Sequence, residues 1–319
     1  MYVFAALCIC LVATGVIENL LHQRRLGRIP VRIHVNGTRG KSSTTRLIAA
    51  GLRAGGLRVI AKTTGAAARL ITEDGSELPI ARSSGRANIS EQMRIIRLAA
   101  QRRADAVVLE CMALEPENQW VTERRMIRST ICVITNARRD HLDIMGSTAA
   151  DVAEVLALSV PYRGHMVTAE RNWLPIFERA ARKSGAELHT VDASDVPDEV
   201  NTEFEYVSFK ENMACALRAC ELAGVARKVA LPGMAATAGD PGSMTVRKVT
   251  LGGADYVFAN AFAANDRDST LAAWRLFADR AQAESPLTAV ILNNRSDRLP
   301  RIGEMAVLIA QEIRPSVVF

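Results

Sequence analysis

Residues 36–43 read Asn-Gly-Thr-Arg-Gly-Lys-Ser-Ser, a set of types and spacings suited to holding a phosphate chain. Gly37 and Gly40 let a backbone turn tightly enough to aim several N–H groups at one oxyanion. Lys41 adds a point charge for the terminal phosphates, and Ser42 offers a hydroxyl to Mg²⁺. Asn36, Thr38, Arg39 and Ser43 complete the loop. The general P-loop pattern carries a glycine six residues before its lysine; Val35 stands there, so this loop is a compressed G-x-x-G-K-S. The chain has 34 arginines and only 6 lysines, which makes a lysine inside such a loop hard to regard as incidental. Nucleotide binding is the expectation.

Three further segments carry chemistry. Val107-Val-Leu-Glu110 is an apolar run that stops on a carboxylate. Mg²⁺ keeps several waters and takes one or two carboxylates, so a strand-terminal glutamate beside a phosphate loop suits it; a solvated strand end is the plain alternative. Thr135–Asp143 reads TNARRDHLD, with Asn136, Asp140, His141 and Asp143 close together. Flanked by two acids, His141 is placed to be oriented as a metal or phosphate contact, where a lone histidine would read as structural. Residues 260–269, NAFAANDRDS, put polar groups after a strand-like run, although a helix cap at Asp268 or Ser269 explains them equally well.

The elements that must position these groups alternate. Strands are expected at Arg32–Val35, Leu57–Ala61, Ala106–Glu110, Thr130–Thr135 and Gly164–Thr168, and helices at Ser43–Ala54, Ile89–Arg103, Thr148–Leu158 and Leu174–Ser184. Such alternation implies an α/β fold with a mostly parallel sheet, whose ligands gather at the carboxyl ends of the strands. The loop, Glu110 and Asn136 all fall there. Residues 233–242 are small and turn-rich, an internal boundary. Beyond it a second αβ pattern runs through a strand at Tyr256–Ala261, a helix at Ser269–Ala283, a strand at Leu287–Leu292, a helix at Ile302–Ile313 and a strand start at Ser316–Phe319. The expected organisation is an anchor helix over 1–22, a nucleotide-binding domain over 28–240 and a short or truncated Rossmann-like domain over 243–319.

Met1–Ile17 carries no charge and is followed by Arg24, Arg25 and Arg28. That pattern predicts a single-pass membrane helix with the rest of the chain cytoplasmic; a cleaved signal peptide is the competing reading. The net charge of +6 suits polyanionic partners, although a GC-rich genome also yields arginine. Few aromatics and no basic–aromatic interleaving argue against nucleic acid. Six cysteines without a C-x-x-C pair read as reduced thiols, and five scattered histidines argue against a structural zinc site.

The order GTRGKSS, strand-terminal Glu110 and N-x-x-x-D-H-L-D at 136–143 resembles the central domain of the Mur ligase superfamily, ATP-dependent amide-bond ligases that include folylpolyglutamate synthase. With the anchor, RANISEQ at 86–92 and NAFAANDRDST at 260–270, the chain is most similar to the catalytic subunits of poly-γ-glutamate (capsule) synthases, from about residue 30 onward. The resemblance implies ATP and Mg²⁺ as cofactors, with the phosphates held by residues 36–43 and Asn136. It puts Ser42, Glu110 and His141 at the metal, Lys41 in catalysis, and Asn265, Asp266 and Arg295 at the nucleotide. Arg82, Arg86 and Asn88 are candidate contacts for an anionic substrate, or else a solvated turn and helix cap. It further implies glutamate and poly-γ-glutamate as substrates and small membrane subunits as partners, and leaves homo-oligomerisation open. One departure stands out. Many relatives carry a carbamylated lysine after the D-H-x-D segment, and here no lysine lies between Lys62 and Lys183. A membrane-anchored P-loop ATPase supporting polymer export is the alternative; it needs neither the 136–143 segment nor the one at 260–270. A ligase acting on folate or a peptidoglycan precursor fits the anchor poorly.

Overall fold

The computed structural model describes residues 2–65, 68–82, 88–197, 209–237, 239, 244–262, 264, 267–281, 287–293 and 299–319. The chain divides into two compact units, Met1–Glu203 with Ser208–Ala238, and Phe204–Val207 with Gly239–Phe319.

The first unit opens with α1 (Tyr2–Leu26), long and apolar enough to cross a membrane. Residues 2–21 of this helix are exposed, and only its last turns dock: His22 Nε2 lies 2.8 Å from the Met126 carbonyl, and Leu26 packs with Ile29, Ile95 and Ile96. Then come β1 (Val31–Asn36), α2 (Lys41–Ala54), β2 (Val59–Lys62), β3 (Arg69–Ile71), β4 (Glu77–Pro79), α3 (Ser90–Gln101) and β5 (Ala106–Glu110). After these, α4 (Pro116–Val121) runs into a π-helical turn (Thr122–Ile127), followed by β6 (Ile131–Ile134), α5 (Leu142–Met145), α6 (Ala149–Leu156), β7 (His165–Thr168), α7 (Leu174–Ser184), β8 (Glu187–Thr190), α8 (Lys210–Leu222) and α9 (Arg227–Ala235).

The eight strands form one sheet in the order β4-β3-β2-β5-β1-β6-β7-β8. From β2 to β8 the pairing is parallel; β3 and β4 add an antiparallel edge. The central strands are apolar on both faces, with Ile33, Val35, Val107, Leu109 and Val133 fully buried, as a helix-covered parallel sheet requires. Register does the positioning: Val35 of β1 sits opposite Glu110 of β5 and Val133 of β6. The loop after β1, the end of β5 and the segment after β6 therefore emerge side by side.

The five expected strands and four expected helices of this unit are present, β5 and α7 with the expected bounds and the others with shifted ends. The strands β3 and β4, the edge strand β8, and α4, α5, α8 and α9 were not anticipated. β3 and β4 have three residues each, too few to display a period.

In the second unit β9 (Thr245–Leu251) and β10 (Ala254–Asn260) form an antiparallel hairpin through Gly252 and Gly253, both at positive φ. The strand expected at Tyr256–Ala261 is thus β10, with an unforeseen partner. Next follow α10 (Arg267–Ala281), β11 (Ala289–Val290), α11 (Leu299–Leu308) with a π-helical turn (Ile309–Ile313), and β12 (Val317–Val318), which pairs parallel with β11. The strand expected over Leu287–Leu292 is reduced to β11. Met305, Leu308, Ile309 and Ile313 pack on Leu271, Trp274 and Val290. All six cysteines are free thiols, four of them buried; Cys8 and Cys10 are exposed on α1.

Candidate functional site

The loop between β1 and α2 is held by side chains from α4, α8 and the segment after β6. Asn36 Nδ2 donates to Gln119 Oε1 (2.8 Å) and Ser159 Oγ (2.5 Å), and its Oδ1 accepts from the Gly37 N–H at 2.8 Å. The chain turns at Gly37 (φ 129°), where an added Cβ would collide with Thr135 Oγ1. Gly40 (φ 80°) opens α2 against Asn212, whose Nδ2 would lie 2.5 Å from a Cβ. A side chain at either position would close the cradle. The free N–H groups of the first turn of α2 face this loop end, the arrangement that binds anions at helix N-termini. Lys41 Nζ donates to the Gly37 carbonyl at 2.6 Å, so its ammonium is held at the loop itself.

The segment after β6 clamps the loop. Asn136 Oδ1 accepts from Thr38 Oγ1 (2.6 Å) and the Arg39 N–H (3.1 Å), while Asn136 Nδ2 donates to the Arg39 carbonyl at 3.1 Å. Thr135 Oγ1 donates to that carbonyl at 2.6 Å. Asp140 pairs with Arg39 at 2.7 Å. His141, at φ 47°, opens α5 with its side chain 30% exposed and its Nε2 3.8 Å from Asp140. The segment is itself pinned from below, where Glu170 accepts from the Ala137 N–H and Trp173 Nε1 donates to the Ala137 carbonyl.

Glu110 is buried, 3% exposed, rather than being a solvated strand end. Its Oε2 accepts from Ser42 Oγ at 2.8 Å and from the Thr64 N–H at 2.6 Å. Gln92 Nε2 holds the Glu110 carbonyl at 2.9 Å. Two hard oxygen donors thus meet beside the phosphate loop, a set that fits a divalent cation. Next to them lies a buried ion cluster that sequence reading missed. Lys62, fully buried at the end of β2, pairs with Glu91 at 3.1 Å, and Arg82 binds the other oxygen of Glu91 at 2.9 Å. Burial lowers the Lys62 ammonium, partly offset by Glu91 and Glu110. Burial pushes Glu91 up, but Arg82 and Lys62 together hold it below the ordinary carboxylate range.

Of the candidate substrate contacts, Arg82 is engaged by Glu91, and Asn88 Oδ1 accepts from the Ser90 N–H at the first turn of α3. Arg86, Asn265, Asp266 and Arg295 lie outside the described residues. A second polar pair backs the loop strand. His34, two residues before Asn36, meets Glu123 at 3.0 Å, just as Gln119 meets Asn36. Burial opposes charge on His34, yet Cys111 and Glu123 beside it raise its pKa to about 10. The histidines are also less scattered than their numbering suggests. The β7–β8 register brings His165, Glu187 and His189 together, with ligand atoms within 4.8 Å. Arg218 donates to His189 Nδ1, which leaves the ring proton on Nε2 to bond His165.

Residues 35–236 match the Mur ligase middle domain, and residues 246–319 match the poly-gamma-glutamate synthase CapB C-terminal domain. The chain is 35% identical over 321 residues to the capsule biosynthesis protein CapB of Bacillus anthracis, covering 99% of this chain and 68% of that protein. It is 34% identical over 308 residues to the PGA synthase CapB of Bacillus subtilis (strain 168), covering 96% and 78%. Among solved structures, E. coli FolC in complex with ADP superposes with a TM-score of 0.66 at 17% identity, covering 95% of this chain and 84% of that one. A bifunctional folylpolyglutamate synthase/dihydrofolate synthase with Mn, AMPPNP and L-glutamate bound also gives 0.66, at 19% identity and 92% and 76% coverage. The strand–loop–helix cradle, the buried glutamate beside it and the clamp after β6 are thus carried by a chain that belongs to the Mur ligase family, in the branch of the CapB poly-γ-glutamate synthases.

Proposed function

We propose that this chain is an ATP-dependent ligase that adds glutamate to a growing poly-γ-glutamate chain. The terminal carboxylate of the polymer attacks the γ-phosphorus of ATP, giving an acyl phosphate and ADP. The amine of the incoming glutamate then attacks the acyl carbon, and phosphate leaves with the C–O bond's electrons as the amide forms. Little covalent protein chemistry is needed, so the residues act by position and charge. The N–H groups of Gly40 and of the first turn of α2 hold phosphate oxygens, since those of Gly37, Thr38 and Arg39 are already bonded to Asn36 and Asn136. Lys41 neutralises the group in transfer. Ser42 and Glu110, with His141 as a third contact, would hold Mg²⁺, whose chemistry there is to neutralise phosphate charge. Arg86 remains the proposed contact for the anionic substrate, and Asn265, Asp266 and Arg295 for the nucleotide.

We further propose that α1 anchors the chain with both units on the cytoplasmic side, where ATP is found, alongside small membrane subunits of a synthase complex. The observation that carries the catalytic reading is the Ser42–Glu110 hydrogen bond beside the two-glycine loop. Its test is ADP release by the full chain with and without glutamate, together with product analysis. The expected result is one amide formed per ADP, lost in Lys41→Ala. ADP and phosphate without amide would make the protein an ATPase, and undiminished turnover in Lys41→Ala would remove the loop from the mechanism.

A further inference from the structure

The amino ends of the strands, at the edge of the sheet away from the phosphate loop, hold a feature the ligase reaction does not use. An open cleft of about 440 Å³ is lined by Asn19 and Gln23 of α1, by Arg124, Arg125 and Arg128 of the π-helical turn and its end, and by Tyr162. It shares Arg124, Arg128 and Tyr162 with an adjoining cleft of about 310 Å³ that adds Arg163. Three segments far apart in sequence meet here. We propose that this basic cleft at the foot of α1 binds the phosphate headgroup of an anionic phospholipid from the membrane that α1 enters, an inference that rests on α1 being inserted.

The level of the cleft follows from α1. Its charge-free residues end at Ile17, and at about 1.5 Å per residue they cover most of a hydrocarbon layer. Asn19 and Gln23 then stand at headgroup depth. The foot of the helix is fixed to the unit through His22 and Leu26, so the cleft is carried to that depth as well.

The charge pattern selects the occupant. Elsewhere in this unit several exposed arginines find acids, Arg58 with Asp105, Arg102 with Glu73, Arg171 with Asp192 and Arg179 with Glu154, while Arg94, Arg97, Arg103 and Arg139 find none among the described residues; what marks the cleft is that its arginines are gathered in one place. Among the described residues, none of Arg24, Arg25, Arg28, Arg124, Arg125, Arg128 or Arg163 has a carboxylate within ion-pair distance. Neutral groups hold two of them: Arg124 donates to Ser184 Oγ (2.9 Å) and Arg128 to Gln23 Oε1 (2.5 Å). Glu123, at the wall of the smaller cleft, is taken by His34 and Ser129. Glu18, the one acid of α1, makes no ion pair with these arginines among the described residues. Aromatic groups complete an interfacial surface. Tyr162 is 62% exposed under Arg163, and Arg125 lies 5.9 Å from the centre of the Trp120 ring.

The test titrates the full chain in detergent micelles with phosphatidylglycerol or phosphatidylcholine and reads lipid adducts by native mass spectrometry. Phosphatidylglycerol should bind at concentrations at least about tenfold lower. Each arginine near an anionic surface is worth about fivefold, so the triple variant Arg124→Gln/Arg125→Gln/Arg128→Gln should lose roughly 100-fold. Tyr162→Ala/Arg163→Gln, on a separate segment, supplies the answer if the triple variant does not fold. Glutamate-dependent ADP release in detergent should stay within about twofold for either variant, because the phosphate loop is at the other edge of the sheet. Equal binding of the two lipids, full binding by the variants, or displacement of phosphatidylglycerol by millimolar inorganic phosphate would overturn the headgroup site. Release of the wild-type chain from membranes by alkaline carbonate would overturn the insertion on which it rests. Loss of ADP release in the wild type would instead strike the ligase reading alone.

Discussion

The buried cluster of Lys62, Glu91 and Arg82 gives the sharpest quantitative expectation. Two cations share one carboxylate there, with Lys62 fully buried and Glu91 3% exposed. Glu91→Leu leaves two like charges without their acid and should cost about 3–5 kcal/mol, the usual penalty for breaking a buried pair from one side. Lys62→Met keeps Glu91 bound to Arg82 and fills nearly the same volume. Its loss is one charge-assisted hydrogen bond, set against relief from burying an ammonium, for a net of about 1–2 kcal/mol. In the double variant Arg82, which is partly exposed, can turn to water. The double should therefore be more stable than Glu91→Leu alone, a coupling of at least about 1 kcal/mol opposed to additivity. Thermal unfolding of the full chain in detergent, followed by tryptophan fluorescence, reads this directly. In a unit of this size 1 kcal/mol moves Tm by about 2–4 °C, so Glu91→Leu should fall by about 6–20 °C and Lys62→Met by about 2–8 °C. Equal losses for the two single variants, or strict additivity in the double, would refute the charge assignment. A second readout separates function from folding. Lys62 offsets the charge of Glu110, so its removal should lower the divalent-metal concentration needed for half-maximal ADP release by a few-fold. An unchanged metal titration would confine Lys62 to stability.

Asn136→Ala removes the acceptor of Thr38 Oγ1 and of the Arg39 N–H, worth about 1–3 kcal/mol of loop order. The KM for ATP should rise roughly tenfold or more with a smaller change in kcat, and an unaltered KM would show that the loop does not need the clamp. The His34–Glu123 pair gives a pH dependence with a defined sign. Because the folded-state pKa of His34 is raised to about 10 from an ordinary 6.5, its stabilisation is complete below about pH 6.5 and is gone once the pH has risen through about 10. Between pH 7 and 10 the wild type should lose Tm more steeply than His34→Gln, as measured by unfolding across that range; parallel slopes would show that His34 is not charged in the fold.

What sequence reading recovered was local: the glycine–lysine loop, the apolar strands and the carboxylate that ends β5. Each is written within a few consecutive residues, and strand register then places them together without further information. The scarcity of lysine that drew attention to Lys41 applied equally to Lys62, at the end of β2 and outside any motif, and would have found it. Glu91 lay within the RANISEQ stretch but was not singled out there, and Gln119, Ser159 and Asn212 carried no such signal. Each touches the site through contacts more than 18 residues distant in sequence, and locally reads as an ordinary polar position. The two histidines at 165 and 189 looked scattered because β8 was not foreseen, and only the β7–β8 register joins them.

The missing glycine at position 35 acquires a physical account from the same contacts. Val35 is fully buried and paired on both sides, so β1 cannot turn early, and the strand continues one residue further to Asn36. The cradle is then left with fewer residues in which to reverse. It is stiffened instead from outside: Asn36 caps the Gly37 N–H, while Thr135 and Asn136 bond the Thr38–Arg39 turn from the neighbouring strand. A loop held by β6 can be short because the entropy of ordering it is offset by bonds it does not make with itself. The two motifs that mark this family are therefore one hydrogen-bonded object, and changes in the 136–143 segment act on the phosphate cradle through Asn136 and through Asp140 on Arg39, whatever His141 contributes at the metal.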